Sequence, residues 1–331
     1  MSENGSLRAG VVGVGSMGQH HARVYAHHDN VSLVGVADAD AGAAQRIAAE
    51  YDTDPLATED LLEVVDAVSV VVPTRYHYEV ARKALYRDVD VLVEKPLVKE
   101  PAEGARLVDL ANERDRVLQV GHVERFNPAI RTLRDVLTDE EVIGIEAQRL
   151  GPPVDRDSTD SVVRDLMVHD LDIALSLVDG DVASVAATGA RDGQHVVAHL
   201  QFEGDVVGQF TASRVTQQKV RRLAVTTEDC RINVDYADQD VEIHRLSVPA
   251  YVETDGDVRY RHESVIERPT VENGEPLAKE LDEFVEAVVT GSRPPVTGED
   301  GLRALELACE VDRQATAAEA DERRAADDQA E

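Results

Sequence analysis

Three short stretches of the chain carry side chains whose types and spacing suit chemistry. The first is "VDVLVEKPLV" (89–98), an apolar run that stops at an opposed charge pair, Glu94-Lys95, and then at Pro96. Lysine is rare here, five residues against twenty-nine arginines, so a lysine at the end of a buried run calls for a specific explanation. In open parallel sheets ligands lie at the carboxyl ends of the strands, and proline turns the chain out of the sheet. A lysine presented there can reach a substrate hydroxyl, or it can be one half of an edge ion pair. The second stretch is Gly13-Val-Gly15-Ser16-Met17-Gly18, followed twenty residues later by Asp38. Glycines at this spacing permit a tight turn, close approach of backbone to a pyrophosphate, and close helix–strand packing. The helix N-terminus then adds N–H groups and positive dipole. An acid at the end of the second strand accepts from the adenine ribose hydroxyls and repels a 2′-phosphate, which favours NAD over NADP. The third is "DSVVRDLMVHDLDIALSLV" (160–178), where Asp165, His169, Asp172 and Ser176 are spaced i, i+4, i+7, i+11. On an ideal helix they share a sector of about 60° amid apolar residues. That stripe suits a buried helix facing a wet cleft. Two Asp and one His also match a divalent-metal ligand set, but nothing else in the chain supports a metal, and none is expected.

These residues need elements to hold them. Apolar runs at 8–15, 31–38, 66–73, 90–94 and 117–121 alternate with helical segments at 19–28, 41–51, 76–86 and 102–113. Runs rich in β-branched residues without polar alternation indicate strands buried on both faces, and the strand–helix beat indicates a doubly wound parallel sheet. After about residue 125 the rhythm changes. Period-two strands are expected at 141–150, 194–203, 206–215, 220–227 and 239–246, with helices starting at Asn127-Pro128 and spanning about 160–178, 276–290 and 299–316. The expected fold is α/β: an N-terminal NAD-binding Rossmann domain over 1–124, then an α+β domain over 125–316 with a large open, mostly antiparallel sheet. An acidic, fraying tail is expected at 317–331.

Composition narrows the partners. With 331 residues, two domains are the default, and 43% apolar residues suffice for two cores. The net charge is −31, with acids spread along the chain and no basic patch, which disfavours nucleic acid and anionic membranes. Spread acidity with little lysine is the halophilic style of surface. Two cysteines make no disulfide framework. The N-terminus lacks an apolar signal core and no run reaches membrane-span length, so a cytoplasmic protein is expected.

Taken in order and spacing, four motifs resemble the glucose–fructose oxidoreductase/inositol dehydrogenase family: the glycine fingerprint, "VVVPTRYHYEVA" (70–81), "VEKPL" (93–97) and "RDLMVHDLDIAL" (164–175). The resemblance covers the whole chain and implies an NAD-dependent oxidoreductase acting on CH–OH groups. It assigns catalysis to Lys95, with Asp165 and His169 matching an Asp–His pair on the family's helix. Lys95 and His169 both suit the proton transfer; His169, titrating nearest neutrality and oriented by Asp165, is the expected general base, with Lys95 bonding the same oxygen as charge develops. The cofactor set is Gly13, Gly15, Ser16, Met17, Gly18, Asp38, Pro73, Thr74, His77, Glu94 and Lys95; His77 reads equally as a residue of its helix's first turn. "GHVERFNPAIRTL" (121–133) and "QRLGPP" (148–153) are similar to the branch that oxidises the 3-hydroxyl of UDP-N-acetylglucosamine and related UDP-amino sugars. That implies Arg125 and Asn127 near the sugar or nicotinamide, Asp172 among the substrate-binding residues, and Arg149 and Arg156 at the diphosphate. Asn127-Pro128 is also simply a good helix start, and both arginines also fit as partners for carboxylates. Met167 stands where many members carry Gly, so the free-polyol branch, inositol or aldose dehydrogenases, is a poorer match. A non-catalytic dinucleotide sensor is the reading from another class; the presence of Lys95, Asp165 and His169 together argues against it. Family habit implies a homodimer or homotetramer.

The charge yields a direct expectation. Screening length falls from about 10 Å at 0.1 M salt to about 3 Å at 1 M, so self-repulsion fades as salt is added. The melting temperature should climb from dilute buffer to molar KCl; a flat profile would count against a halophilic surface.

Overall fold

In a computed structural model the described residues are 6–153, 160–246, 250–254, 257–261 and 264–328. They form two compact units, residues 1–126 with 275–307, and residues 127–274 with 308–331.

The first unit is built on β1 (Leu7–Val12), β2 (Val31–Ala37), β3 (Asp54–Pro55), β4 (Ala67–Val70), β5 (Asp90–Glu94) and β6 (Leu118–Gly121). They make one parallel sheet in the order β3-β2-β1-β4-β5-β6, the order of a Rossmann sheet. Every residue of β4, β5 and β6 is buried, which is why these runs lack polar alternation. The connecting helices are α1 (Gly18–Ala26), α2 (Ala41–Glu50), α3 (Thr58–Val64), α4 (His77–Tyr86) and α5 (Pro101–Arg114). Register aligns the strand ends: Val12 is opposite Ala37 and Val70, Val70 opposite Val93, and Glu94 opposite Gly121. Gly13, Asp38, Val71, Lys95 and His122 therefore leave the sheet along one edge, and strand order reverses between β1 and β4, where such sheets bind ligands.

α8 (Pro276–Thr290), after a 148-residue excursion from 127 to 274, belongs to this unit and not to the second domain expected to run from 125 to 316. Leu277, Leu281, Phe284 and Val285 lie in one core cluster with Leu7, Val11, Val14 and Tyr25. Thr297 bridges to Gln119 as an added antiparallel pairing on β6, and the Val120 amide donates to the Val296 carbonyl at 3.1 Å. An apolar helix face states that it is buried but not against what, so the sequence alone does not reveal this return.

The second unit holds an eight-stranded sheet in the order β16-β13-β12-β11-β7-β10-β9-β8. Its strands are β7 (Val142–Leu150), β8 (Val182–Ala190), β9 (His195–Phe202), β10 (Val207–Ser213), β11 (Val220–Thr227), β12 (Cys230–Asp235), β13 (Asp240–Leu246) and β16 (Ser264–Glu267); β14 (Ala250–Thr254) and β15 (Asp257–Arg261) pair separately. Only β7–β10 is parallel, so the sheet is mostly antiparallel, as expected. Its strands alternate: Val196, Ala198, Leu200 and Phe202 of β9 are buried, as are Cys230, Ile232 and Val234 of β12. α6 (Pro128–Val136) and α7 (Val168–Leu177) pack on that buried face.

Two further differences from expectation concern helices. Val163–Met167 forms a π-helical turn before α7, in place of one uniform helix over 160–178. α9 (Gly298–Asp328) continues through the segment read as a fraying tail, because no Gly or Pro follows Gly301 to stop it. No described helix is long and apolar enough to cross a membrane.

Candidate active site

In the first unit the glycine loop has the geometry a dinucleotide requires. Gly13 has φ +94°, a left-handed conformation that favours glycine, and a Cβ there would lie 2.5 Å from the Val71 carbonyl oxygen. A Cβ on Gly18 would fall 1.8 Å from the Gly13 oxygen, so loop and helix touch through bare backbone. Gly15 meets nothing within 4 Å, leaving open space beside the start of α1 where a pyrophosphate would sit. Ser16 is exposed and Met17, the N-cap of α1, is half-buried. The chain thus fits the cofactor that the fingerprint implies. Asp38 accepts from the Val14 amide at 2.7 Å and the Asp40 amide at 2.8 Å, one bond per oxygen. A carboxylate offers about four lone-pair sites, so ribose hydroxyls can still be accepted.

Pro73 is exposed and Thr74 half-buried, at the 3-10 turn Thr74–Tyr76 that precedes α4. His77 opens α4 and is buried; its Nδ1 lies 2.9 Å from the Pro96 carbonyl and its Nε2 2.7 Å from the Val72 carbonyl. Burial pushes its pKa down against the opposing effect of those bonds. Both ring nitrogens are directed at the protein's own backbone. His77 therefore ties the segment after β4 to the turn after Lys95.

Lys95 is half-buried, just beyond the end of β5. Its amide donates to Glu94 Oε2 at 3.1 Å, and Glu94 Oε1 lies 3.1 Å from Nε2 of His21 on α1. His21 Nδ1 is 3.1 Å from the Ser69 hydroxyl of β4, itself 2.8 Å from the Tyr25 hydroxyl. All four side chains, Glu94, His21, Ser69 and Tyr25, are buried. Burial raises the Glu94 carboxyl, but the His21 bond and the nearby Lys95 charge outweigh it, so the pKa is lowered and Glu94 stays ionised. None of His21, Ser69 or Tyr25 was among the expected site residues. The available signal was His21 and Tyr25 four apart among the apolar residues of α1's inner face.

In the second unit Asp165 sits in the π-helical turn, and its carboxylate pairs with Arg214, which follows β10. Arg214 also donates to the Asp160 carbonyl at 3.1 Å. The wider turn breaks the uniform i, i+4 stripe, because a π turn closes with i→i+5 bonds. His169 is half-buried near the start of α7, Asp172 is 1% exposed, and Ser176 accepts from Arg134 of α6 at 2.9 Å. The stripe's far end is thus a helix–helix contact.

The substrate set fares unevenly. Arg149 is 4% exposed and bidentate to Asp170 at 3.0 and 2.9 Å, and its guanidinium stacks 5.1 Å over the Tyr236 ring. Its fork is taken up by a buried carboxylate, the carboxylate-partner alternative that the sequence also offers. Asn127 caps α6 by accepting from the Ala129 amide at 3.1 Å and donates to the Tyr236 carbonyl at 3.1 Å. Arg125, in the first unit, lies 3.9 Å from Asp300. Arg156 lies outside the described residues.

A Rossmann sheet with an open glycine loop, Asp38 and Lys95 along one strand edge defines a dinucleotide-dependent oxidoreductase. Residues 7–122 match the model of the oxidoreductase family with NAD-binding Rossmann fold, and 147–233 match the GFO/IDH/MocA C-terminal domain. The UDP-N-acetylglucosamine 3-dehydrogenase of Acidithiobacillus ferrooxidans is 33% identical over 310 residues, covering 92% of this chain and 96% of that one. The inositol 2-dehydrogenase of Rhizobium meliloti is 27% identical over 325 residues, covering 92% and 95%. A solved structure of the Acidithiobacillus enzyme superposes with a TM-score of 0.86 at 31% identity, covering 95% of this chain and 99% of that one. The chain belongs to the Gfo/Idh/MocA family of oxidoreductases.

The Arg149–Asp170 pair gives a sharp test. Arg149→Met leaves a buried carboxylate without its partner and should cost about 3–5 kcal/mol in urea unfolding. A variant of unchanged stability with weakened binding of a UDP-sugar would restore the diphosphate role.

Proposed function

We propose that the protein is an NAD-dependent dehydrogenase of nucleotide sugars, taking hydride from C3 of UDP-N-acetylglucosamine or a close UDP-amino-sugar relative. The observation that carries this reading is the full-length likeness to the Acidithiobacillus UDP-N-acetylglucosamine 3-dehydrogenase. Bound NAD supplies the hydride acceptor. In this reading Asp38 holds the adenine ribose by its hydroxyls and disfavours NADP, whose 2′-phosphate would face the carboxylate. Lys95 donates to the reacting hydroxyl oxygen and stabilises the negative charge that develops as C–H cleavage proceeds. His169 is the base that takes the hydroxyl proton, and Asp165 stabilises the resulting imidazolium. A chain of net charge −31 repels a diphosphate, so local cations must bind it. With Arg149 committed to Asp170, Arg156 is the remaining arginine of the proposed pair. Binding energy from the UDP then positions the sugar carbon, so its removal should lower turnover as well as affinity. A cytoplasmic homo-oligomer fits this reading.

The test is NADH or NADPH production, in high salt, from UDP-N-acetylglucosamine, N-acetylglucosamine and myo-inositol. The nucleotide sugar with NAD should exceed the other sugars in kcat/KM by at least about 10²-fold. Charge repulsion of a few kcal/mol should make NADP about 10–100-fold worse than NAD. A faster reaction with myo-inositol or the free sugar would overturn the substrate, and equal use of both cofactors would overturn the role of Asp38.

A further inference from the structure

We infer that His21 is a positioning residue for Lys95: from inside the first unit it fixes the Glu94 carboxylate, and Glu94 fixes the backbone that presents Lys95.

The donor directions of the chain follow from its end. Glu94 is ionised and only accepts, so His21 Nε2 must donate to it. In the neutral ring Nδ1 is then left to accept, and the Ser69 hydroxyl donates to it. The Ser69 oxygen accepts in turn from Tyr25, whose phenol burial pushes well up and keeps as a donor. Every hydroxyl and ring nitrogen in the set has a defined role, and the last link is the Lys95 amide donating to Glu94 Oε2. His21 and Tyr25 ride on α1, which begins at the glycine loop; Ser69 is on β4 and Glu94 closes β5. One polar chain thus connects the helix that opens at the pyrophosphate loop to the lysine at the strand edge.

The pocket is shaped around this carboxylate. Gly121, opposite Glu94 in the β5–β6 register, would place a Cβ 3.1 Å from Glu94 Cδ and 3.2 Å from Oε2. Stability alone is a poor reason for such a set, because apolar residues of similar volume often serve a buried site equally well. A chain of oriented hydrogen bonds fixes position, which apolar packing does less sharply. The turnover part of this inference rests on the reading of Lys95 as catalytic; the structural part does not.

The test uses the scarcity of lysine. The chain has only Lys83, Lys95, Lys99, Lys219 and Lys279, so reductive ¹³C-dimethylation, which keeps their charge, gives five lysine NMR signals beside that of the N-terminal amine. Lys95→Met identifies the Lys95 signal by its loss. In His21→Leu and in Glu94→Gln the Lys95 signal should move while the other four stay in place. His21→Leu added to Glu94→Gln should move it no further, since both act through one carboxylate. Gly121→Ala presses on Glu94 from β6 and leaves the imidazole of His21 in the chain, and it should displace the same signal even where His21→Leu does not fold. Turnover per folded protein should drop on the order of 10–100-fold in these variants, and in His21→Leu, which lies outside the expected cofactor set, the Kd for NAD should stay nearly unchanged. Folded variants whose Lys95 signal stays at the wild-type position, or a double variant showing the sum of the two shifts, would overturn the positioning role. If Lys95→Met retains turnover, the catalytic reading fails, and the NMR result still decides the role of His21.

Discussion

A carboxylate enclosed in an apolar parallel sheet is the constraint around which the first unit is arranged. Taking an isolated carboxylate out of water costs several kcal/mol even after relaxation, so Glu94 needs its partners in place before the sheet can close. It receives an imidazole from one layer and a backbone amide from its own strand, and a glycine leaves room on the other side. The partners come from α1, β5 and β6, elements up to a hundred residues apart. Their convergence depends on the parallel register that brings Val12, Val70, Glu94 and Gly121 to one edge. The same edge carries Gly13, Asp38 and Lys95. The register that builds the sheet therefore also places this part of the site.

Much of this was legible, and the reasons differ by element. Strands buried on both faces announce themselves by unbroken Val-rich runs, so β1, β2, β4, β5 and β6 could be placed from sequence. The glycine fingerprint was legible because its neighbours, strand before and helix after, were legible too. β8 was missed because "VASVAATGA" is rich in alanine and mostly exposed, and weak β formers on an edge give little period-two signal. The π-helical turn left no mark, since apolar spacing around 163–167 agrees with an ordinary helix. The burial of Arg149 is marked in the sequence. The residue shares the inward face of β7 with Ile145 and Ala147, and that alternation already pointed it at the core. The His21–Glu94 contact joins residues 73 apart, and no local pattern encodes such a pair.

Arginine carries more structure here than its surface reputation suggests. Besides the buried fork on Asp170, Arg8 grips Asp66 at 2.7 and 3.1 Å and holds its carboxyl down to about 2. Arg106, Tyr78, Arg82, Tyr86 and Arg114 alternate in a stack on α4 and α5, with guanidinium-to-ring distances from 5.2 to 6.0 Å. Planar, delocalised guanidinium suits both uses, and an ammonium matches neither geometry. In a chain so acidic, these forks and stacks commit arginines to internal contacts. An arginine committed in this way is not offered to an anionic ligand, which is why the location of the diphosphate partner weighs on the substrate assignment.

The proposed function turns on which C–H bond gives up its hydride. UDP-N-acetylglucosamine carrying deuterium only at C3 can be incubated with the enzyme and NAD, and the reduced cofactor isolated and weighed. The account predicts NADH one mass unit heavy, formed together with a 3-keto nucleotide sugar. Light NADH would show oxidation at a different carbon, and no NADH in molar salt would contradict the nucleotide-sugar function itself.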